Sequence, residues 1–256
     1  MSNQFPRPSV MGIVNVTPDS FSDGGVHLDP AAAAAAARRM IDEGAAIVDV
    51  GGESTRPGHE PVPLDEELRR VVPVLERLAG IPVSIDTSKA EVARRALDLG
   101  ATLVNDVTAL RGDPSMAEFV AESGASLCLM HWGKVADVEE VWRSLEERLR
   151  FAVDAGVEEE RVVLDPGIGF GKTVAQNFEL VRRLAELAEF GRPVLVGFSR
   201  KSSLGRILGD AGATKGTLAA SIAAAVAAYD RGATILRVHD VREHVEALTV
   251  AAAVAG

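Results

Sequence analysis

The sequence has little cysteine, few aromatic residues and no long uncharged apolar segment. A single cysteine, Cys128, excludes an internal disulfide and leads us to expect a reducing, cytoplasmic setting. Its neighbours are apolar, so we interpret it as a core residue and not as a nucleophile. The longest uncharged run, 216–229, is too short to span a membrane, and the N-terminus lacks the apolar segment of a signal peptide.

Positive charge is also in the minority. There are 27 Lys and Arg residues against 37 Asp and Glu residues, which gives a net charge of −10. This balance argues against general nucleic-acid binding, which needs a basic face. A local cluster of Arg and Lys can still bind a small anion. We therefore expect small-molecule partners, with neither nucleic acid nor membrane among them.

What the sequence does contain is an alternation of short apolar runs and amphipathic helical stretches. The strict alternation predicts parallel strands joined by crossover helices. Eight such units in this length favour a closed (β/α)8 TIM barrel over the alternative, an open doubly wound sheet. No linker divides the chain, so residues 1–256 are expected to form one domain. The predicted strands are 10–16, 46–50, 83–85, 102–104, 126–130, 162–164, 194–196 and 234–238, and the predicted helices 30–43, 65–79, 89–99, 115–123, 137–155, 175–189, 215–231 and 241–253.

Polar residues follow the predicted strands, whereas the segments that precede the strands are short and apolar. Barrel enzymes build their sites from the loops after the strands. Asp86, Asn105 and Asp165 each directly end an apolar run, and Lys201 comes shortly after Phe198. These side chains predict a polar floor in the barrel mouth that can hydrogen-bond the edge of a flat, nitrogen-rich heterocycle. A carboxylate pair acting as general acid and base is the alternative.

A second polar cluster is suited to an anion. An Arg side chain offers phosphate a bidentate fork, and Asn and Thr oxygens can bind the Mg²⁺ of a diphosphate. The cluster comes from the first, second and eighth strands, which become neighbours when the barrel closes. Its members are Asn15, Ser54, Thr55, Arg56, Arg237 and His239.

At these positions the sequence resembles the dihydropteroate synthase family. The similarity runs from about residue 10 to the C-terminus, and its first two motifs are long and specific. The motifs are MGIVNVTPDSFSDGG at 11–25, DVGGESTRPG at 49–58, SIDT at 84–87, ND at 105–106, DPGIGFGK at 165–172, SRKS at 199–202 and RVHDV at 237–241.

The resemblance implies a pterin-binding TIM-barrel transferase that joins 4-aminobenzoate to 6-hydroxymethyl-7,8-dihydropterin diphosphate and releases diphosphate, in folate biosynthesis. It implies sulfonamide inhibition and a homodimer, for which helix 215–231, rich in small residues, offers a packing face. By this resemblance the pterin is bound by Asp86, Asn105, Asp165, Lys201 and Met130, and the diphosphate by Asn15, Thr55, Arg237 and His239, with Mg²⁺ at Asn15. The resemblance implies that the aminobenzoate side is formed by Phe170, Lys201 and Ser202, with Phe21, Ser54, Arg56 and Pro57 on mobile loops that cover it. The expected catalytic residues are Asp86, Lys201, Arg237 and His239.

Two other functions stay open at this point. A methyltetrahydrofolate-dependent methyltransferase of the same fold would share the pterin floor and lack the diphosphate site. A catalytically inactive paralogue would keep the barrel without turnover. The chain departs from the family pattern in the loop 132–137, which is shorter than usual, and His131 before it has no assigned role.

Overall fold

Eight parallel strands form the centre of the molecule. They are β1 (Ser9–Asn15), β2 (Ile47–Gly51), β3 (Val83–Asp86), β4 (Leu103–Asp106), β5 (Ser126–Met130), β6 (Val162–Asp165), β7 (Leu195–Val196) and β8 (Ile235–Val238). The computed structural model describes residues 5–17, 29–54 and 61–255. Neighbouring strands pair in chain order, β1 also pairs with β8, and Leu164 N donates to Pro193 O at 2.9 Å between β6 and β7. The predicted closed barrel is confirmed.

Three strands continue beyond their predicted ends, so that the polar floor residues Asp86, Asn105 and Asp165 belong to the strands. Asp86 is the last residue of β3 and Asp165 the last of β6, while Asn105 lies within β4. The parallel ladder explains the extension, since Asp86 is the register partner of Asn105, and Met130 that of Asp165. Their positions are therefore set by the sheet, which is more rigid than a loop.

Side chains inside the barrel change from apolar to polar along the strands. Successive residues of a strand point to opposite faces, so residues two apart share the interior. The apolar interior layer consists of Met11, Ile47, Leu103, Cys128, Val163, Leu195 and Ile235, together with Phe5. Two residues further along five of these strands stand Asp49, Asn105, Met130, Asp165 and Arg237. Four of these five side chains are polar, so a mainly polar layer, called the polar layer below, lies above the buried apolar one. Cys128 is a core residue as expected.

Ten helices surround the strands in the part of the chain that the structure describes. Their apolar faces cover the outward side chains of the strands, such as Val48, Ile85 and Leu127, in one large core. Each fully buried side chain of this size stabilises the fold by roughly 1.5–3 kcal/mol. None of the helices seen here has the length and apolar character that crossing a membrane needs. The helices are α1 (Pro30–Asp42), α2 (Leu64–Leu75), α3 (Ala90–Asp98), α4 (Met116–Ser123), α5 (Val138–Asp154), α6 (Val174–Arg182), α7 (Leu184–Ala188), α8 (Ser202–Ile207), α9 (Leu218–Asp230) and α10 (Val241–Ala255).

The helices after β6 and β7 differ from the prediction. The predicted helix 175–189 is split at Arg183, whose backbone (φ −103°, ψ 16°) leaves the helical region. The short helix α8 was not predicted at all. The helix predicted from residue 215 begins at Leu218, because the Thr217 hydroxyl caps it by accepting from Ala220 N at 3.2 Å.

The loops after β5 and β6 approach each other closely. Gly167 has a φ of +70°, and a Cβ atom there would lie 1.8 Å from the His131 carbonyl oxygen. A Cβ atom at Gly171 would lie 2.5 Å from the Gly133 backbone. Only glycine permits both the left-handed backbone and the close contact. The two loops therefore act as one unit on this side of the barrel mouth.

Replacing Gly167 by Ala should destabilise the protein by roughly 3 kcal/mol, since the left-handed backbone penalty and the clash add. Gly124→Ala is the matched control, because Gly124 has a φ of +65° and open space around the added methyl group. It should cost only about 1 kcal/mol. Urea unfolding measures both, and equal losses for the two variants would contradict the close loop contact.

Candidate active site

Hydrogen bonds link three side chains of the polar layer, on β8, β2 and β4, with Asp86 at the end of β3. Arg237 Nε donates to Asp49 Oδ2 at 2.6 Å, and Arg237 Nη2 donates to Asp86 Oδ2 at 2.9 Å. Asn105 Nδ2 donates to Asp49 Oδ2 at 2.9 Å. The structure therefore brings Arg237, predicted for the diphosphate, into contact with the residues predicted for the pterin.

Asp49 was not singled out by the sequence reasoning, although it lies at the centre of this network. It is fully buried, and its Oδ1 atom has no hydrogen-bond partner among the described residues. A buried carboxylate without compensation is strongly unfavourable, and here Arg237 supplies the opposite charge. The available signal was a carboxylate in the middle of the apolar run 46–50.

Burial dominates the electrostatics of the floor. It raises the pKa of Asp86 to about 7, with Arg237 opposing the shift and Asp49 adding to it. It raises the pKa of Asp165 to about 6, opposed by the Gly167 N–H at 2.7 Å and by Lys201. At Arg237 the carboxylates of Asp49 and Asp86 outweigh burial, so its pKa is raised and the guanidinium stays charged.

Lys201 and Phe170 meet on the opposite side of the mouth. Lys201 Nζ lies 4.2 Å from the centroid of the Phe170 ring, a cation–π contact, and its charge acts on Asp165. Ser202 follows as the first residue of α8 and is half-buried. Met130 is buried at the end of β5 beside Asp165. The predicted residues of the pterin and aminobenzoate sides thus meet at Lys201.

The backbone before Lys201 is strained. Arg200 has a φ of +56°, a region that costs free energy for a residue with a Cβ atom. Its N–H donates to Ser221 Oγ at 2.9 Å, and its guanidinium forms an ion pair with Asp240 in the loop after β8. These contacts stabilise the strained turn and thereby position the backbone of Lys201.

His131 has a structural role. Lys172 Nζ donates to both His131 Nδ1 and the His131 carbonyl oxygen at 2.8 Å, and to Phe170 O at 3.1 Å. Burial, and then Lys172, lower the pKa of His131 to about 4, so the ring is neutral at pH 7. Burial lowers the pKa of Lys172 to about 7. Lys172, which the sequence reasoning quoted only within a motif, ties the loops after β5 and β6 together.

The anion cluster is described only in part. Asn15 ends β1 opposite Gly51, and His239 follows β8 with its Nδ1 3.1 Å from Ser199 Oγ. Burial, then Arg200 and Arg237, lower the pKa of His239 to about 4, so its ring is neutral in the ligand-free protein. Ser54 is half-buried. Phe21, Thr55, Arg56 and Pro57 lie outside the described residues.

A half-buried ion cluster lies beside the described residues that flank 55–60. Lys89 Nζ lies 2.5 Å from Glu53 Oε2 and 2.5 Å from Glu67 Oε2, and the Thr87 hydroxyl donates to Glu67 at 2.7 Å. Glu53 Oε1 accepts from Val62 N at 3.3 Å, beyond the loop. Burial lowers the pKa of Lys89, but the two carboxylates outweigh it and the pKa is raised. Sequence reasoning missed this cluster, whose members are far apart in the chain.

The closed barrel and the polar side chains at the carboxyl ends of its strands define a barrel enzyme with a polar site at its mouth. Comparison with known proteins agrees with this class. A family model described as "Pterin binding enzyme" matches residues 11–239, and the chain belongs to this family. The dihydropteroate synthase of Escherichia coli (strain K12) is 46% identical over 97% of this chain and 92% of that protein. The resemblance in the motifs is confirmed, and the chain falls among the dihydropteroate synthases of the family.

Solved structures give the same result. Xanthomonas albilineans dihydropteroate synthase with 4-aminobenzoic acid matches with a TM-score of 0.91 and 49% identity, covering 98% of this chain and 94% of that chain. Yersinia pestis dihydropteroate synthase in a sulfonamide drug complex matches with a TM-score of 0.90 and 43% identity, covering 97% and 94%.

Asp165→Asn should stabilise the ligand-free protein, and more so as pH rises. The folded pKa of about 6 lies above the ordinary value of 3.8, so Asp165 keeps its proton in the folded state while the unfolded chain loses it. Relative to the variant, the wild type should therefore lose on the order of 3 kcal/mol between pH 3.5 and pH 7.5. The oxygen of the introduced amide can still accept from Gly167 N. Urea unfolding across this range measures the difference, and a difference independent of pH would contradict the shifted pKa.

Proposed function

We propose that the chain joins 4-aminobenzoate to 6-hydroxymethyl-7,8-dihydropterin diphosphate to give 7,8-dihydropteroate and diphosphate. The observation that carries this proposal is the contact between a carboxylate and amide floor and Arg237, with His239 two residues beyond it. A ring that donates N–H groups and an anionic leaving group can then bind side by side. The similar proteins named above carry the same activity in their names.

The pterin binds to the polar layer. Asp86, Asn105 and Asp165 supply acceptors and donors for the ring edge, and Lys201 holds the ring carbonyl. Met130, buried at the end of β5, packs against the ring face. The apolar layer beneath prevents water from entering from the other end of the barrel. The site therefore recognises the pterin ring by both its shape and its hydrogen-bonding groups.

The diphosphate binds toward β1, β2 and β8. Arg237 and His239 would contact it, together with Thr55 and with Asn15, whose half-exposed side chain ends β1. Within the described ranges no three His, Cys, Asp or Glu residues form a metal cluster. The amide oxygen of Asn15 nevertheless fits Mg²⁺, a hard cation that takes oxygen ligands and completes its shell with phosphate and water. When bound, Mg²⁺ would neutralise charge on the leaving diphosphate.

The reaction replaces one bond at the pterin methylene carbon. Its bond to the diphosphate oxygen breaks with the electron pair leaving on oxygen, and the amine nitrogen of 4-aminobenzoate forms the new bond and loses a proton. We propose that breaking precedes bond formation, because the carboxylates of Asp86 and Asp165 favour positive charge on the ring while Arg237 favours the departing anion. The neutral amine needs placement more than a strong base.

The acceptor side is formed by Phe170, Lys201 and Ser202, with Phe21, Ser54, Arg56 and Pro57 predicted on covering loops. The Lys201 ammonium and the Ser202 hydroxyl suit a carboxylate, and the Phe170 ring suits an aromatic amine. Sulfonamides share this shape, so we expect them to compete with 4-aminobenzoate. Cytoplasmic location remains a prediction, in keeping with the single buried thiol of Cys128.

The decisive experiment measures diphosphate release from the pterin diphosphate ester, with and without 4-aminobenzoate and with and without Mg²⁺. Arg237→Ala should lower kcat/KM for the diphosphate ester by about 10²–10³-fold, because a charge-stabilising donor is lost. Lys201→Ala should lower kcat/KM for both substrates, since Lys201 lies between their sites. Arg182→Ala, on the exposed surface of α6, is the control and should leave both values unchanged.

The outcomes separate the alternatives. Wild-type protein that releases no diphosphate and forms no dihydropteroate would contradict the synthase proposal. Methyl transfer from methyltetrahydrofolate would instead support the methyltransferase, and neither activity would support an inactive paralogue. A steep dependence of the rate on the nucleophilicity of substituted aminobenzoates would contradict the order of bond breaking that we propose.

We also propose that the chain forms a homodimer through α9 and α10. The two helices pack together and leave an apolar groove that includes Ile222, Val226, Val250 and Val254. Val250 is 64% and Val254 82% exposed, which is unfavourable unless a partner covers them. The face lies on the outside of the barrel, so a second copy would leave the mouth accessible.

The double variant Val250→Glu and Val254→Glu should shift a dimer toward monomer, because it places charge in the apolar contact. Ile207→Glu, at an equally exposed apolar position on α8, is the control and should not change the mass. Sedimentation equilibrium gives the mass directly. A monomeric wild type at micromolar concentration would contradict the proposal.

A further inference from the structure

Trp132 occupies an unusual position at the mouth of the barrel. It lies two residues beyond the end of β5 and is 48% exposed. The other large apolar side chains found exposed in the described part of the chain lie on helices or at their ends. An indole ring exposed at the carboxyl ends of barrel strands stands where such enzymes bind their substrates.

The indole packs on Phe170, and Phe170 in turn contacts Lys201. Its ring centroid lies 5.3 Å from that of Phe170, with the planes tilted by 57°. Lys201 Nζ lies 4.2 Å from the Phe170 centroid. Indole, phenyl ring and ammonium therefore present two aromatic surfaces and one positive charge along the same side of the mouth. This order matches a flat aromatic ligand that carries a carboxylate.

The backbone that carries the indole is held in place. Lys172 binds the carbonyl oxygens of His131 and Phe170 at once, on either side of the contact between the loops. Gly133 N donates to Phe170 O at 3.4 Å, and Gly171 packs against Gly133. The backbone on both sides of Trp132 is therefore held, and the indole packs on Phe170 while nearly half of its surface stays exposed. A fixed aromatic surface prepares a ligand site.

We propose that Trp132 is a specificity-determining residue of the acceptor subsite, where its indole packs against the ring of the arylamine and selects aromatic amines. This inference rests on the proposed function, because it takes the acceptor to be 4-aminobenzoate. Phe170 and Lys201 are the neighbours through which Trp132 joins that site. Trp132 is the first residue of the loop 132–137, and its indole packs on the ring of Phe170.

Steady-state kinetics with each substrate varied in turn test the inference. Trp132→Ala should raise the KM for 4-aminobenzoate about tenfold, the value of one aromatic packing contact, and leave the KM for the pterin diphosphate unchanged. Trp132→Phe should keep most of the affinity. Trp142→Phe, on the buried face of α5, is the control and should change neither KM.

A binding measurement detects the contact between Trp132 and the arylamine without turnover. The chain has two tryptophans, so the Trp142→Phe variant leaves Trp132 as the only indole emitter. Adding 4-aminobenzoate should quench or shift its emission, and cyclohexanecarboxylate, which lacks an aromatic amine, should not. Unchanged emission would overturn the inference, whether or not the protein turns over.

The kinetic outcomes separate this inference from the proposed function. Turnover by the wild type with an unchanged KM in Trp132→Ala would overturn the role of Trp132 and leave the synthase proposal intact. No turnover by the wild type would contradict the synthase proposal, and the emission measurement would then decide whether Trp132 contacts an arylamine. An equal rise in both KM values would indicate a general disturbance of the mouth and would also overturn the inference.

Discussion

The guanidinium of Arg237, held between the carboxylates of Asp49 and Asp86 inside the barrel, is the interaction on which the rest of the site depends. Buried carboxylates crowd the layer of interior side chains above the apolar one. Without an opposite charge they would repel each other in surroundings that screen charge poorly. Removing one partner of such a buried pair typically costs about 3 to 5 kcal/mol. Arg237 makes the polar layer compatible with the fold, and the same charge is the one that we propose to stabilise the leaving group.

Both the strands of the barrel and the loops that follow them position the side chains of the candidate site. The strands set Asp86, Asn105 and Asp165, whose neighbours in the parallel ladder fix their height within the mouth. Contacts of two lysine side chains hold residues of the loops in place. Lys172 joins the loops after β5 and β6, and Lys89 binds Glu53, which follows β2. The contacts of Lys172 leave little to reorganise between the loops after β5 and β6 when a ligand binds, which is the condition for electrostatic stabilisation of a reacting centre. Burial raises the pKa values of Asp86 and Asp165 toward neutrality, so a ligand that donates N–H groups to them would favour their ionised forms and couple binding to proton release.

Local patterns in the sequence predicted the architecture and the positions of the polar floor residues at the strand ends. Alternating apolar runs and helical stretches predicted the closed barrel, because each unit has its own period and its own length. Asp86, Asn105 and Asp165 were predicted because each ends an apolar run, and parallel strands bring their carboxyl ends together. The division of the helix at Arg183 and the helix α8 were not predicted, since backbone angles at a few residues decide them.

The contacts between distant residues came only from the folded chain. The pairing of Asp49 with Arg237 joins residues 188 positions apart, and nothing in either local pattern states which charge balances which. The link from Lys172 to His131 and the packing of Trp132 on Phe170 depend on how two loops meet at glycines without a Cβ atom. Side-chain types and strand spacing are local properties and can be taken from the sequence. Which charges and rings meet depends on barrel closure, which brings together segments that the chain keeps far apart.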